Sequence, residues 1–224
     1  MNILCYLILF DLFPMTLFKK QNAFTLIELI TVIAIIMVLM GLLFPAINFA
    51  KLAAQKAQAK NDLSQIITAV NAYYTEYGKY PITSGSGNVT YGVATGAVGT
   101  NDQLFNVLQL TNTANQSNVI TLNPRGIVFI SIPAAKNSAS PKAGVTTSGG
   151  SAGAWYDPWG SQYNVTIDGG YANQIANPYS TDNPGGTSLN VGVIAWSNGK
   201  DKTQGAAGNS STTYGGSDDV ISWQ

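Results

Sequence analysis

The sequence has no histidine and a single cysteine, Cys5. Without histidine there is no Ser-His-Asp triad and no His-ligated zinc site. One cysteine makes no disulfide within the chain. Charge is scarce as well. Asp, Glu, Lys and Arg make up 10% of the 224 residues and balance at eleven acidic against eleven basic. Without Lys19, Lys20 and Asp11 the rest of the chain carries nine basic and ten acidic residues, so nucleic acid is not an expected partner. The Asp-x-Asp-x-Asp-Gly spacing of an EF-hand is missing too. A glycosidase needs a positioned carboxylate pair. Asp157 and Asp168 are the one pairing on offer, and Asp157, followed by Pro158 and Gly160, reads as a turn residue. These absences argue against an enzyme.

What is present is one long apolar stretch. Residues 24–47 read FTLIELITVIAIIMVLMGLLFPAI, with Glu28 as the one ionisable side chain. As a helix they span about 36 Å, enough to cross a hydrocarbon core of about 30 Å with some tilt. Lys19 and Lys20 precede the stretch and favour a cytoplasmic N-terminus. A carboxylate inside such a segment is costly and therefore points to function. Beyond it, Leu52, Leu63, Ile66, Ile67, Val70, Tyr73, Tyr74 and Tyr77 recur mostly at steps of three and four. Residues 24 to about 76 are expected to form one helix, loosened or kinked at Pro45 and ended by Gly78 and Pro81. The Gly, Ser, Thr and Asn content of the second half favours loops and a β-rich surface.

Lys19-Lys20-Gln21-Asn22-Ala23 followed by Phe24-Thr25-Leu26-Ile27-Glu28 resembles the processing site of type IV pilins and of type II secretion pseudopilins, with Ala23 in place of the usual Gly. The resemblance implies that a prepilin peptidase cuts between Ala23 and Phe24 and that the new Phe24 amine is methylated. Residues 1–23 would be the leader. A start at Met15 would shorten it to MTLFKKQNA. Residues 24–47 would be the transmembrane and polymerisation helix, 48–81 its amphipathic continuation, and 82–224 a periplasmic β-rich domain. The implied fold is α+β, a long N-terminal helix packed on a small antiparallel β-sheet.

The C-terminal half resembles the major pseudopilin in Asp157-Pro158-Trp159-Gly160, Ser197-Asn198-Gly199-Lys200-Asp201 and Ser217-Asp218-Asp219-Val220. In that family the last two stretches form a calcium loop. By position, Asn198, Asp201, Asp218 and Asp219 would supply oxygens to Ca2+, which takes six to eight of them. The segment between Asp201 and Ser217 is longer than the family pattern, and Lys200 and Lys202 flank Asp201. The implied function is structural: a homopolymer built with an inner-membrane assembly platform and other minor pseudopilins. The protein would wait as a single-pass inner-membrane protein and then enter a periplasmic filament that drives protein export. In this picture Glu28 pairs with the Phe24 amine of a neighbouring subunit. The alternatives are a type IV pilus subunit, for adhesion, motility or DNA uptake, and a membrane-anchored carbohydrate-binding domain. The tyrosines of residues 73–80 read as core and turn, or as an aromatic cluster for sugar.

The local pattern also makes expectations elsewhere. It predicts loop over 82–100, a short helix over 103–110 capped by Asp102, and loop over 111–118. Buried strand is expected at 127–132 and a flexible excursion over 133–153. A half-buried strand is expected at 162–168, an apolar run at 189–196 and a last strand at 220–223.

Overall fold

The computed structural model describes residues 24–82, 87–111, 116–206 and 211–224. The leader expectation, with Met15 and Ala23, lies outside these residues. The chain divides into two compact units, between Asn48 and Phe49.

The first unit contains the opening of helix α1, Leu26–Tyr77. All residues from 24 to 51 are exposed, including Phe24, Met37, Leu42 and Phe44. A helix apolar on every side and covered by no core of its own is suited to lipid or to the interior of a helical assembly. Among the described residues α1 is the one helix long and apolar enough to cross a membrane. It runs unbroken through Pro45, although proline has no N–H to donate to the carbonyl four residues back.

The second unit is built on the rest of α1. Ala59, Asp62, Leu63, Ile66, Ala69, Val70 and Tyr73 are buried, at the three- and four-residue steps of one helical face. That stripe packs on a sheet. In chain order the elements are β1 (Asn88–Tyr91), α2 (Asp102–Gln109), α3 (Gln116–Leu122), β2 (Gly144–Val145), β3 (Trp155–Tyr156), β4 (Asn164–Asp168), β5 (Ile175–Ala176), β6 (Ser188–Leu189), β7 (Val193–Ser197) and β8 (Val220–Ile221). The main sheet runs β1-β4-β7-β8, antiparallel throughout, with Val165 opposite Ala195 and Ser197 opposite Val220. The architecture is α+β.

Alternation along the central strands divides the core in two. Val165, Ile167, Val193 and Ala195 join the α1 stripe. Ile194 and Trp196 point the other way, to Ile175, Tyr179, Leu189 and Ile221. Both faces are covered, so β4 and β7 are buried at every position where one exposed face was expected for β4. Within the first core the Asp62 carboxylate accepts a 2.8 Å hydrogen bond from Tyr163 Oη. Burial pushes the Asp62 pKa up, against that bond.

Several local expectations are corrected. Residues 88–91 form an edge strand, not loop; Val89 and Tyr91 are buried against the core. Asp102 lies in the first turn of α2, and the cap position belongs to Asn101, which makes no side-chain cap bond. Helix α3 starts at Gln116, inside the stretch expected as loop. Residues 127–132 are not a strand. Ile130 and Ile132 are buried, but Phe129 N–H and Ile130 N–H donate to the Leu108 carbonyl in the last turn of α2, so no ladder forms. The excursion at 133–153 is pinned in its middle by β2 pairing with β3.

Candidate assembly and cation sites

The α1 N-terminus is closed by its own side chains. Thr25 N–H and Oγ1–H donate to Glu28 Oε2 at 2.8 and 2.7 Å, and Glu28 N–H donates back to Thr25 Oγ1 at 3.3 Å. This is a capping box, Thr-x-x-Glu, which satisfies two of the orphan donors of a helix start. Among the described residues no donor reaches the second oxygen, Oε1, which leaves it open to a cation. A carboxylate at the positive end of the helix is also favoured by the helix dipole. Glu28 is therefore placed in the first turn of α1, within a few residues of the Phe24 amine that cleavage would create.

The second site lies where β7 ends and β8 begins. Carboxylate oxygens of Asp201, Asp218 and Asp219 all lie within 4.8 Å of one another. Each acid gives one oxygen to donors of the chain. Asp218 Oδ2 accepts from Lys200 N–H at 2.6 Å and Asp201 N–H at 3.3 Å. Asp219 Oδ2 accepts from Tyr179 Oη at 2.8 Å and Gly205 N–H at 2.7 Å. Asp201 Oδ1 accepts from Thr203 N–H at 2.9 Å. Oδ1 of Asp218 and Oδ1 of Asp219 are buried and have no hydrogen-bond partner among the described residues. Asp219 as a residue is only 5% exposed. A buried anionic oxygen without a partner is costly.

No Lys or Arg among the described residues forms an ion pair with any of the three; the ion pair present joins Arg125 to Glu76. Burial pushes the Asp219 pKa up to about 6; Gly205 N–H and Tyr179 Oη pull against that rise, and the charges of Asp218 and Asp201 add to it. Gly199, at φ +66°, lets the chain pass over this cluster: a Cβ there would lie 2.5 Å from Asp218 Oδ1. Asn198 is differently engaged. Its Oδ1 accepts from Asn164 Nδ2 at 2.9 Å, and the residue is buried. The donor set, three convergent carboxylates with two orphaned buried oxygens, fits a hard oxygen-seeking cation.

Asp157, from the Asp157-Pro158-Trp159-Gly160 stretch, positions this loop. It is fully buried. Oδ1 accepts from the backbone N–H of Trp159, Gly160 and Ser161, and Oδ2 accepts from Ser197 Oγ at 2.6 Å. Ser197 Oγ in turn accepts from Gly199 N–H. Burial raises the Asp157 pKa, and the donors from Ser197, Ser161, Gly160 and Trp159 lower it. Asp168 is likewise a turn residue, accepting from Gly170 N–H and Asn173 N–H. Asp157→Ala leaves three buried donors, Trp159 N–H, Ser161 N–H and Ser197 Oγ–H, without an acceptor, while Gly160 N–H keeps the main-chain carbonyl of residue 157; a loss of about 3–5 kcal/mol of stability is expected. Asp157→Asn keeps one acceptor oxygen and should lose less. Thermal melting of the full chain in detergent measures both; equal losses would refute the hydrogen-bond account.

Sequence reading missed Tyr179, Gly205 and Asp182. Tyr179 supports Asp219 from a loop 40 residues earlier, which no local spacing reveals. Asp182 holds the segment before Asp218 by accepting from Tyr214 N–H and Gly215 N–H.

No curated protein matches the chain, and no solved structure does. Residues 18–44, from the basic pair through the first turns of α1, match the prokaryotic N-terminal methylation motif, the leader of type IV pilin-like subunits of pili and pseudopili.

Proposed function

We propose that this chain is a structural subunit of a type II secretion pseudopilus. The methylation motif and the wholly exposed apolar opening of α1 support a subunit that is processed, held in a membrane and then polymerised. The observation that carries the secretion reading, rather than the pilus reading, is the three-aspartate cluster between β7 and β8. In this reading prepilin peptidase cuts before Phe24, and the new amine is methylated. The subunit waits in the inner membrane with its N-terminus in the cytoplasm. The assembly platform then draws it, with minor pseudopilins, into a periplasmic homopolymer. Glu28 Oε1 takes the Phe24 ammonium of the neighbouring subunit, which removes an uncompensated charge from an apolar setting.

Asp201, Asp218 and Asp219 would hold Ca2+. The bound ion supplies positive charge to three converging carboxylates and ties β7 to β8 through the loop between them. The chain needs that tie because it has no disulfide to make it.

Two measurements test the reading together. Mass spectrometry of the mature protein should find a first peptide starting at N-methylated Phe24; a mature chain retaining Lys19 and Lys20 refutes processing. Deleting the gene should trap exported proteins inside the outer membrane. Normal export with loss of surface pili, motility or DNA uptake would assign the chain to a type IV pilus instead.

A further inference from the structure

We propose that the second unit binds a neutral oligosaccharide on a tyrosine platform beside an amide-lined groove. The proposal does not depend on the secretion reading.

The platform is Tyr74, Tyr80 and Tyr171. Tyr80 stacks on both others, with ring centroids 4.7 Å from Tyr74 and 5.5 Å from Tyr171 and interplanar angles of 28° and 18°. Tyr80 is the buried base; Tyr74 is 40% exposed and Tyr171 52%. Two large rings are thus shown to solvent and backed by a third. The placement is built in at some strain. Tyr171 and Asn173 both sit in left-handed backbone, at φ 55° and 53°, where a side chain is disfavoured. The Tyr171 hydroxyl accepts from Tyr80 N–H, which fixes the ring. Gly192 makes room for the base: a Cβ there would meet Tyr80 Oη at 1.9 Å.

The groove runs from the same residues. Asn71 is one turn before Tyr74 on α1, and Asn173 is two residues after Tyr171. Asn71 and Asn173, with Asn190, Ser222 and Trp223, line a cavity of about 370 Å³ that has no ionisable side chain. The three amide groups are exposed, and none bonds to another side chain or backbone group among the described residues. Through Ile67 and Ser222 it adjoins a second cavity of about 690 Å³ along α1. The one cation among the described residues that line it, Lys60, already donates to the Ile221 and Gln224 carbonyls.

Each feature matches one chemistry. Aromatic faces carry negative potential and attract the C–H edges of a pyranose. Free carboxamides both donate and accept, as ring hydroxyls require. A groove whose described lining carries no free charge disfavours anionic and cationic ligands.

The experiment uses the full chain in detergent. Cellotetraose, chitotetraose, maltotetraose and mannotetraose are titrated by calorimetry, with a heparin tetrasaccharide and an unstructured peptide of mixed sequence as contrasts. At least one neutral tetrasaccharide should bind. Tyr171→Gly suits the left-handed backbone and keeps the fold, and should weaken that binding about tenfold or more. Tyr171→Phe keeps the ring and should stay within about threefold of wild type. Asn173→Gly should weaken binding while the melting temperature holds. No binding of any neutral tetrasaccharide, binding to heparin or peptide alone, or wild-type affinity in Tyr171→Gly overturns the proposal. So does a Tyr171→Gly variant that binds no sugar differently but forms fewer oligomers, since the face would then seat a second copy.

Discussion

Glu28→Gln should leave the subunit folded and membrane-inserted, with filament yield below about a tenth of wild type. The capping box separates the two roles of this side chain. Glutamine at the third helical position still reaches back to the Thr25 N–H and hydroxyl, so the start of α1 keeps its cap. What it loses is the charge. In the proposed filament each Phe24 ammonium would then lie in an apolar environment with no anion beside it, at every subunit contact along the polymer. Glu28→Leu removes both roles. It should insert into membrane at least as readily as wild type, since an ionisable group leaves the apolar segment, yet it too should fail to assemble. Sheared filaments and total membrane protein are quantified by immunoblot in the same cells. Wild-type filament yield in Glu28→Gln would show that the cap, and not the charge, is what Glu28 provides.

How much of this was legible in the sequence differs by element. Helix α1 was read to within two residues at its start and about one at its end, because a stripe such as Leu63, Ile66, Val70 and Tyr73 declares its own period. Strands β4, β7 and β8 announced themselves by apolar content. Strand β1 did not: Asn88-Val89-Thr90-Tyr91 is short and sits among glycine and serine, and it exists because β4 offers it a ladder. Residues 127–132 show the converse. Their composition suits a strand, but the carbonyl that takes their N–H groups is at the end of a helix. Strand formation belongs to the pair, not to the segment.

The candidate sites divide the same way. Phe24 and Glu28 follow from a contiguous motif. Asp201, Asp218 and Asp219 were picked out by resemblance, and the fold brings them together across 18 residues of chain. Their supports come from elsewhere. The segment between Asp201 and Ser217 is poor in large apolar residues. In the structure Tyr214 packs edge-on against Tyr179, at 5.3 Å between centroids, and Asp182 caps two of its N–H groups. Tyr171 was invisible as a site residue because its value lies in a left-handed backbone and in rings far away in sequence.

Calcium should raise the melting temperature of the full chain in detergent by roughly 5–10 °C over a chelator when present at about 100 times its dissociation constant. That concentration corresponds to roughly 2.7 kcal/mol for a ligand that binds only the folded form. The structural ground is that, among the described residues, Asp218 Oδ1 and Asp219 Oδ1 are buried without partners, beside Asp201 and with no cationic side chain paired to them. The decisive quantity is the calcium-dependent increment, not the absolute melting point. Asp219→Ala also strips Tyr179 Oη and Gly205 N–H of their acceptor, so it should melt lower with or without the ion. Asp201→Asn is the cleaner variant: its amide oxygen can still accept from Thr203 N–H, and only the charge goes. It should keep the chelator melting point and lose most of the increment. Gly199→Ala attacks the same site without touching an acid, because its Cβ would press on Asp218 Oδ1, and it should lose the increment as well. Magnesium, which demands a tighter octahedral shell and gives up water reluctantly, should produce a smaller shift than calcium. Equal melting of the wild type in calcium and in chelator would reject the ion and leave Asp201, Asp218 and Asp219 as three acids held in place by Lys200, Gly205 and Tyr179.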